Sequence, residues 1–303
     1  MHPHHHHSDH SEISGKNLFY VVVFNLVITL VEFVGGLVSG SMSLLSDAFH
    51  NLSDAMSITI TYFAYKFSLK GPDEKKTFGY KRITILASLF NSVTLLVICI
   101  FLVKEAVERL INTHPIEIKT VFIIGGIGLL GNLLSLLFLK GAAKKDLNVK
   151  SAYLHILGDA LSSIAVIIGA LFIYFWGMVR IDPLISILIA VYIAKESLEV
   201  LLKSVNIIMQ STPTHVEPTK VVEELMKIQE IKDVHHVHLW SLDDKNHFFE
   251  GHVNLKSDLT VTQTMQVYQK IKDKLQKLGI NHVTVQFEYN GCPGCEVVPK
   301  KAL

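Results

Sequence analysis

Long apolar runs before about residue 205 are the feature that most limits what this chain can fold into. Because a helix rises 1.5 Å per residue, about 20 apolar residues are needed to cross the hydrocarbon of a bilayer. Only 18% of the residues are charged, against about 25% in ordinary soluble domains. A purely soluble protein is therefore excluded. Four segments reach the required length: Leu18–Val38, Ile83–Val103, Val121–Leu139 and Ala152–Phe175.

Two weaker segments complete the predicted membrane domain. Ser41–Phe67 carries polar residues that alternate with apolar ones at helical spacing, which suits a span with one wet face. Leu184–Ala194 is short, but it continues past Lys195 and Glu196 into Leu198–Leu202, and a lysine can extend to the membrane interface. We therefore predict an α-helical polytopic membrane protein with six transmembrane helices.

Basic residues in the short loops predict the orientation of the spans. The connections after the second and fourth spans are rich in lysine, whereas the connection after the first span has no basic residue and the one after the fifth has only Arg180. Both termini are therefore predicted to be cytoplasmic. The sequence predicts an integral multi-pass protein of the lipid bilayer but does not distinguish a plasma (inner) membrane from a vesicle membrane. No cleavable signal peptide is predicted, since the first ten residues are polar.

The last ninety or so residues have the composition of a small soluble α/β domain. We divide the chain into a histidine-rich cytosolic arm (1–16), a six-span transmembrane domain (17–208) and a cytosolic domain (209–303). A net charge of +1 gives no reason to expect a nucleic-acid partner. The predicted αββαβ elements are helix Val216–Gln229, strands Val234–Leu242 and Phe248–Leu255, helix Leu259–Leu278 and strand His282–Tyr289.

Ionisable residues inside two spans point to an ion site. His50 and Asp54 are four residues apart, so they share one helix face, and His155 and Asp159 repeat this spacing on the fifth span. A carboxylate at the bilayer centre costs roughly 3 kcal/mol on insertion scales, so such residues are rarely idle. Two imidazole nitrogens and two carboxylate oxygens would form a tetrahedral site suited to zinc, with cadmium and cobalt as further candidates.

The membrane residues also allow other interpretations. One histidine–aspartate pair alone could be a structural contact between helices, but two identical pairs favour an ion site. Glu32 and Asn25 on the first span, and Asn132 on the fourth, are interpreted as groups that hydrogen-bond between helices. An intramembrane zinc hydrolase would need an H-E-x-x-H helix, which the sequence lacks. A membrane-embedded zinc sensor that signals through its cytosolic domain is the alternative to transport.

Several motifs along the chain resemble those of one membrane family. Leu45–Asp54, which reads Leu-Ser-Asp-Ala-Phe-His-Asn-Leu-Ser-Asp, resembles the second-span signature of the cation diffusion facilitator family of zinc transporters. His155–Asp159, followed by Ala-Leu-Ser-Ser, resembles its fifth-span signature. Further landmarks in the same order are Phe78-Gly79-Tyr80 with Arg82, Glu105 with Arg109, Asp182-Pro183 with Ser186, and Met209-Gln210-Ser211-Thr212-Pro213.

This resemblance implies a secondary active transporter, a metal cation/proton antiporter rather than an enzyme. It implies a homodimer with metallochaperone-like cytosolic domains that exports Zn²⁺ from the cytoplasm in exchange for H⁺ by alternating access. Histidine on both spans is the pattern that the family associates with zinc preference. Lys76 stands where many relatives have a histidine of an additional loop site, so that loop site is predicted to be absent.

The resemblance also implies metal ligands in the cytosolic domain. His235 and His252, with Glu288 from the last strand, would hold a regulatory or structural zinc ion near the dimer interface. Gln286 stands where some relatives have a further histidine ligand. Strand alternation predicts that His236, His238 and Trp240 project to one face and His235 to the other. We predict that His236, His247 and His282 are not ligands.

The ends of the chain carry two further metal-binding candidates. Cys292-Pro293-Gly294-Cys295 brings two thiols onto one tight turn, which is half of a structural zinc site. A redox role is less favoured, since reactive C-x-x-C pairs begin a helix. In relatives with a similar tail, histidine from the other subunit's N-terminus completes the site. The N-terminal histidines are interpreted as a metal-capturing arm, with an expression tag as the alternative: His2, His4, His5, His6, His7 and His10.

Overall fold

The computed structural model describes residues 26–140, 147–291 and 296–297, without the side chains at 57, 58, 61, 62, 147–152 and 155. By contacts, the chain divides into two compact units. One comprises Met1–Tyr62 and Phe90–Val200, and the other comprises Phe63–Leu89 and Leu201–Leu303. The first unit is helical, and the second contains the sheet.

Six helices occupy the described part of residues 26–208, and each overlaps one predicted span. Three segments are long and apolar enough to cross a membrane: Ile83–Ile111, Ile118–Leu139 and Ile156–Trp176. The helical membrane domain is thus confirmed, whereas the total of six spans stays a prediction. The helices are α1 (Leu26–Ser39), α2 (Met42–Ser68), α3 (Ile83–Ile111), α4 (Ile118–Leu139), α5 (Leu147–Trp176) and α6 (Ile181–Ile208).

Apolar side chains cover the outer faces of these helices. Ile100, Leu137 and Leu188 are 68%, 67% and 70% exposed, respectively. Soluble proteins rarely expose apolar surface on this scale. A helix satisfies its own backbone hydrogen bonds, so it can carry such a surface into lipid.

The N-terminal end of α2 is fixed to α6 by one carboxylate. Asp182 Oδ1 accepts hydrogen bonds from the hydroxyls of Ser41 (2.6 Å) and Ser43 (2.5 Å), and its Oδ2 accepts one from the Met42 backbone N–H (2.6 Å). A helix leaves its first N–H groups without internal partners, and its N-terminus favours negative charge. One turn further along both helices, the Ser46 and Ser186 hydroxyls are 2.6 Å apart. The Asp-Pro landmark therefore joins α2 to α6.

The cytosolic domain has the predicted αββαβ order. Its three strands follow the order β1-β2-β3, with β1 and β2 antiparallel and β2 and β3 parallel. One face packs on the helices through a core that includes Val221, Leu225, Phe249, Ile271 and Leu275. The elements are α7 (Pro218–Met226), β1 (Ile231–Ser241), β2 (His247–Leu255), α8 (Val261–Lys277) and β3 (His282–Tyr289).

Strand β1 contains a bulge that corrects one prediction. His235 pairs with His252, but the next register pair is His238 with Glu250, so the bulge lies between these pairs. His236 has a φ of +51° at this position. A bulge adds one residue to one strand and so shifts the alternation of faces. His235 therefore shares a face with His238, and the prediction that they face opposite ways was wrong.

The loop between α2 and α3 packs on this sheet within the second unit. The Phe78 ring lies edge-on to Phe248, with ring centroids 5.4 Å apart, and Arg82 stands 5.7 Å above the Trp240 ring centroid. The Tyr80 hydroxyl donates a hydrogen bond to Asp73 (2.6 Å), which lowers the pKa of that carboxyl. The Phe-Gly-Tyr landmark thus shapes a loop that covers part of the sheet.

Candidate functional site

Three ionisable side chains meet between α2 and α5. His50 Nδ1 is 3.6 Å from Asp54 Oδ2, one turn along α2, and His50 Nε2 is 3.6 Å from Asp159 Oδ1 on α5. One imidazole is thus placed between two carboxyl groups from different helices. We call His50, Asp54 and Asp159 the membrane cluster.

The membrane cluster has the burial and donor types of a metal site. His50 is 8% exposed and Asp159 is 1% exposed. One ligand atom from each of the three residues lies within 4.8 Å of the others. Nitrogen and oxygen donors at this separation suit zinc. Carboxyl groups buried between apolar helices are costly without a cation nearby, which favours an ion-binding role.

The fourth predicted ligand, His155, is on α5 one turn before Asp159. Its side chain lies outside the described part of the structure. The structure therefore brings together three of the four predicted membrane ligands, and the role of His155 stays a prediction.

A layer of polar contacts next to the membrane cluster joins α5 to α2. Asp47 accepts hydrogen bonds from the hydroxyls of Ser162 (2.5 Å) and Ser163 (3.1 Å). Asp47 comes one turn before Asn51 and is 1% exposed. Sequence reasoning gave these residues no role. The Ser-Ser pair that follows the fifth-span motif was the available signal, because hydroxyls are common donors between membrane helices.

The interhelical hydrogen bonds expected of two other residues are present. Asn51 Nδ2 donates to Glu32 Oε2 at 2.9 Å, which joins α2 to α1. Asn132 Nδ2 donates to Ser163 Oγ at 3.5 Å, which joins α4 to α5. Asn25 lies outside the described residues.

A second cluster of metal-ligand type lies on the cytosolic sheet. His235 Nε2 is 3.3 Å from Glu288 Oε2, and His252 Nδ1 is 2.8 Å from Glu288 Oε1. These three residues come from β1, β2 and β3, and their ligand atoms lie within 4.8 Å of one another. We call His235, His252 and Glu288 the cytosolic cluster. Gln286 donates a hydrogen bond to Glu288 (3.1 Å).

Asp233 was missed by the sequence analysis and orients a histidine of the cytosolic cluster. Its Oδ1 is 2.7 Å from His235 Nδ1, so the Nε2 atom of His235 faces Glu288. Asn254 Nδ2 donates to the other oxygen of Asp233 at 2.9 Å. Metal-binding histidines commonly hold a carboxylate through their second nitrogen. The Asp-Val-His spacing on a strand was the signal, since residues two apart share a face.

The other histidines of the domain have different surroundings. His247 is 2.9 Å from the Ser241 hydroxyl, and burial followed by the nearby His215 lowers the pKa of His247. His282 packs on the Phe248 ring, with centroids 4.4 Å apart. His236 stacks on the His252 ring at 4.8 Å. That none of His236, His247 and His282 binds metal stays a prediction.

The predicted metal sites at the two chain ends lie outside the described residues. Cys292 and Cys295 lie outside the described residues, as does the N-terminal arm with its histidines. Their metal-binding roles stay predictions.

The chain matches two family models that together cover most of its length. Residues 18–209 match the cation efflux transmembrane domain, and residues 213–290 match the cation efflux protein cytoplasmic domain. The chain is 35% identical to the zinc transporter ZitB of Escherichia coli over 97% of this chain and 94% of that protein.

Two further relatives are similar over nearly their whole length. The chain is 33% identical to the cadmium, cobalt and zinc/H(+)-K(+) antiporter of Bacillus velezensis, over 92% of this chain and 91% of that protein. It is also 33% identical to the metal cation efflux system protein CzcD of Cupriavidus metallidurans, over 95% of this chain and 90% of that protein. The fold, both domain matches and these relatives show that the chain belongs to the cation efflux, or cation diffusion facilitator, family of membrane transporters, and it is not an enzyme.

Proposed function

We propose that this protein exports Zn²⁺ from the cytoplasm in exchange for protons by alternating access. Cd²⁺ and Co²⁺ are further candidate substrates, because the same nitrogen and oxygen donors accept them. The names of the relatives support metal export, since they include a zinc transporter and a cadmium, cobalt and zinc antiporter. The transport site in this proposal is formed by His50, Asp54, His155 and Asp159.

The position of His50 between two carboxyl groups is the observation that carries the proposal. Asp54 approaches the imidazole along α2, and Asp159 approaches it across from α5. A metal ion bound there would be held by both helices at once. A rearrangement that separates α2 from α5 would therefore open the site and release the ion.

Proton exchange follows from the chemistry of these ligands. Imidazole and carboxyl groups bind metal only in their deprotonated forms, so metal binding releases protons and proton uptake opposes metal binding. Histidine changes its protonation near neutral pH, which lets a modest difference in pH across the membrane favour metal release on the more acidic side.

The cytosolic cluster is proposed to hold a zinc ion that remains with the protein. Two imidazoles and one carboxylate fit zinc, and Asp233 orients one of the imidazoles as metal sites require. His235, His252 and Glu288 would be the ligands, with Cys292 and Cys295 contributing a further site. We propose that the protein is a homodimer through its cytosolic domains, with both termini in the cytoplasm.

Zinc flux into proteoliposomes under an imposed pH gradient tests the proposal. Wild type should show uptake that rises with the gradient, whereas Asp159→Ala should show none. Asp258→Asn, which removes an exposed carboxyl between β2 and α8, should behave like wild type and is the control for loss of one acid. Flux that persists in Asp159→Ala would contradict the proposed site. A folded, zinc-binding wild type without flux would favour the zinc sensor.

A further inference from the structure

Beside the membrane cluster, the helices of the first unit bury a second group of polar residues. Glu32 on α1 and Asn132 on α4 are 0% exposed, and Asp47 and Asn51 on α2 are each 1% exposed. Ser163 on α5 is equally buried at 1%. These five residues come from four helices, and we call them the buried polar ring.

Hydrogen bonds join the members of the buried polar ring in two groups that meet on α2. Asn51 donates to Glu32 (2.9 Å), and Asn51 is one helical turn from Asp47 on α2. Asp47 accepts from Ser163 (3.1 Å), and Ser163 in turn accepts from Asn132 (3.5 Å). The first group joins α1 to α2 and the second joins α2 through α5 to α4, with Asp47 and Asn51 one turn apart on α2.

Gly128 on α4 lies against the Glu32 side chain. It lies one turn before Asn132 on α4, and a methyl group at Gly128 would overlap Glu32 Oε1. Helical side chains lean toward the N-terminus of their helix, so the Asn132 amide leans over Gly128. Glu32 is therefore packed against the α4 backbone. This contact leaves little space for a coordinated metal ion, whereas a proton needs none.

The buried polar ring has more acceptors than donors. Among the described residues, Glu32 Oε1, Asn51 Oδ1 and Asn132 Oδ1 are buried without a hydrogen-bond partner. All three are acceptor oxygens of carboxyl or amide groups, so they cannot satisfy one another. A proton on Glu32 would turn one of these acceptors into a donor.

The electrostatic surroundings of Glu32 also favour a bound proton. Besides its burial, Asp47 on α2 and Asp159 on α5 are the titratable groups among the described residues that disfavour a carboxylate at Glu32, because they repel it when they are ionised. Within the described part of the chain, Asn51 supplies the one hydrogen bond to Glu32 Oε2, and α4 contributes the uncharged Gly128. A buried carboxylate without a cation is unfavourable in hydrocarbon.

We propose that Glu32 is a proton-binding site separate from the metal ligands, and that its proton exchanges during the transport cycle. The inference rests on the proposed proton exchange and assigns part of it to a group that does not touch the metal. Asn51, next to His50 on α2, is the residue through which the two sites communicate. Movement of α2 changes the Asn51–Glu32 hydrogen bond and the membrane cluster together.

Infrared spectroscopy of the full-length protein in nanodiscs tests the bound proton directly. A protonated carboxyl group has a C=O band separate from that of a carboxylate, and replacement by an amide removes it. We expect zinc-free wild type at neutral pH to show such a band that Glu32→Gln lacks. Glu108→Gln, at an exposed position on α3, should retain the band as the matched control. Identical spectra of Glu32→Gln and wild type would overturn the proposal.

A transport measurement tests whether this proton is exchanged. In proteoliposomes, Glu32→Gln should still bind zinc but should move about one proton fewer per zinc than wild type. If Glu32→Gln moved as many protons per zinc ion as wild type, the proposal that the Glu32 proton is exchanged would be overturned. Glu32→Gln could instead change zinc flux driven by a K⁺ gradient and leave zinc flux driven by a proton gradient unchanged. That result would overturn the assignment of Glu32 as a proton site. Failure of the proposed function would look different, because wild type itself would then show no dependence on the pH gradient.

A second variant keeps the inference testable if Glu32→Gln does not fold. Gly128→Ala retains the carboxyl but adds a methyl group that must displace Glu32 Oε1. Its C=O band should shift relative to wild type, because the hydrogen-bond surroundings of the acid change. An unshifted band in a folded Gly128→Ala protein would overturn the proposal.

Discussion

The membrane cluster and the cytosolic cluster use the same donor types on different supports. The membrane cluster joins two helices, with both histidine–carboxylate distances at 3.6 Å. The cytosolic cluster lies on three hydrogen-bonded strands, with one such distance at 2.8 Å. Neighbouring strands cannot separate without breaking the sheet, whereas two packed helices can move apart. The comparison indicates that the first cluster suits an ion that must leave, and the second suits an ion that stays.

The largest expected difference between the clusters concerns transport. Asp54→Asn removes a carboxylate of the proposed membrane site, so zinc flux should fall on the order of 100-fold or more, a larger loss than is usual for a residue that only orients a metal ligand. His252→Ala removes an imidazole of the proposed cytosolic site, and its zinc flux at high zinc concentration should fall far less. Initial rates in proteoliposomes measure both. Equal losses in the two variants would remove the distinction between a transport site and a resident site.

Zinc affinity of the cytosolic cluster should depend on Asp233. Asp233→Asn weakens the carboxylate contact that orients His235, so affinity should fall about 10–100-fold. Chelator competition measures this most cleanly in an Asp159→Ala background, where the membrane site is disabled. Asp258→Asn in the same background should leave zinc affinity unchanged. If it lost as much zinc affinity as Asp233→Asn, the proposed role of Asp233 in orienting His235 would be contradicted.

The bulge in β1 should affect stability and zinc binding together. His236 has a φ of +51°, which costs a β-branched residue about 1–2 kcal/mol and costs glycine little. His236→Val should therefore lower the unfolding temperature of the cytosolic domain and weaken zinc binding, while His236→Gly should be tolerated. Thermal unfolding of the full-length protein distinguishes them. Equal stability of the two variants would show that the bulge is not under this constraint.

The smallest expected effect is a pH dependence that originates at His247. Burial, and then the neighbouring His215, lower the pKa of His247 below its ordinary value of 6.5. The unfolded chain therefore binds more protons than the folded domain just below pH 6.5, so stability should fall as pH drops through this value. The slope from this group is less than about 1.4 kcal/mol per pH unit.

His247→Asn is the matched variant, because its amide can still reach the Ser241 hydroxyl. Between pH 7.5 and 5.5, the unfolding temperature of His247→Asn should change less than that of wild type. The difference between the two changes should be about what one histidine contributes. A steeper pH dependence in His247→Asn would contradict the direction assigned to this pKa.

Periodic patterns predicted the elements well because burial dictates them directly. Each predicted span overlaps a helix, and the prediction of His282–Tyr289 as a strand matches β3. The spacing of His50 and Asp54 also placed both on one face of α2, since helical geometry fixes residues four apart.

The misses have a common physical cause, which is that a partner distant in sequence decides the outcome. Strict alternation put His235 and His238 on opposite faces, but pairing with β2 introduced a bulge between them. Asp233 was missed because its role exists only once the sheet brings Glu288 to the other side of His235. The Asp-Val-His spacing indicates that Asp233 and His235 share a face, but no local pattern predicts the bulge or places Glu288 beside His235.

Asp182 has a consequence for the proposed rearrangement of the helices. Its carboxylate accepts hydrogen bonds from Ser41, Met42 and Ser43 at the first turn of α2, the helix that carries His50 and Asp54. Tilting α2 alone would leave that carboxylate and the first N–H groups of α2 buried without their hydrogen-bond partners. The N-terminal ends of α2 and α6 are therefore expected to move together in the proposed rearrangement.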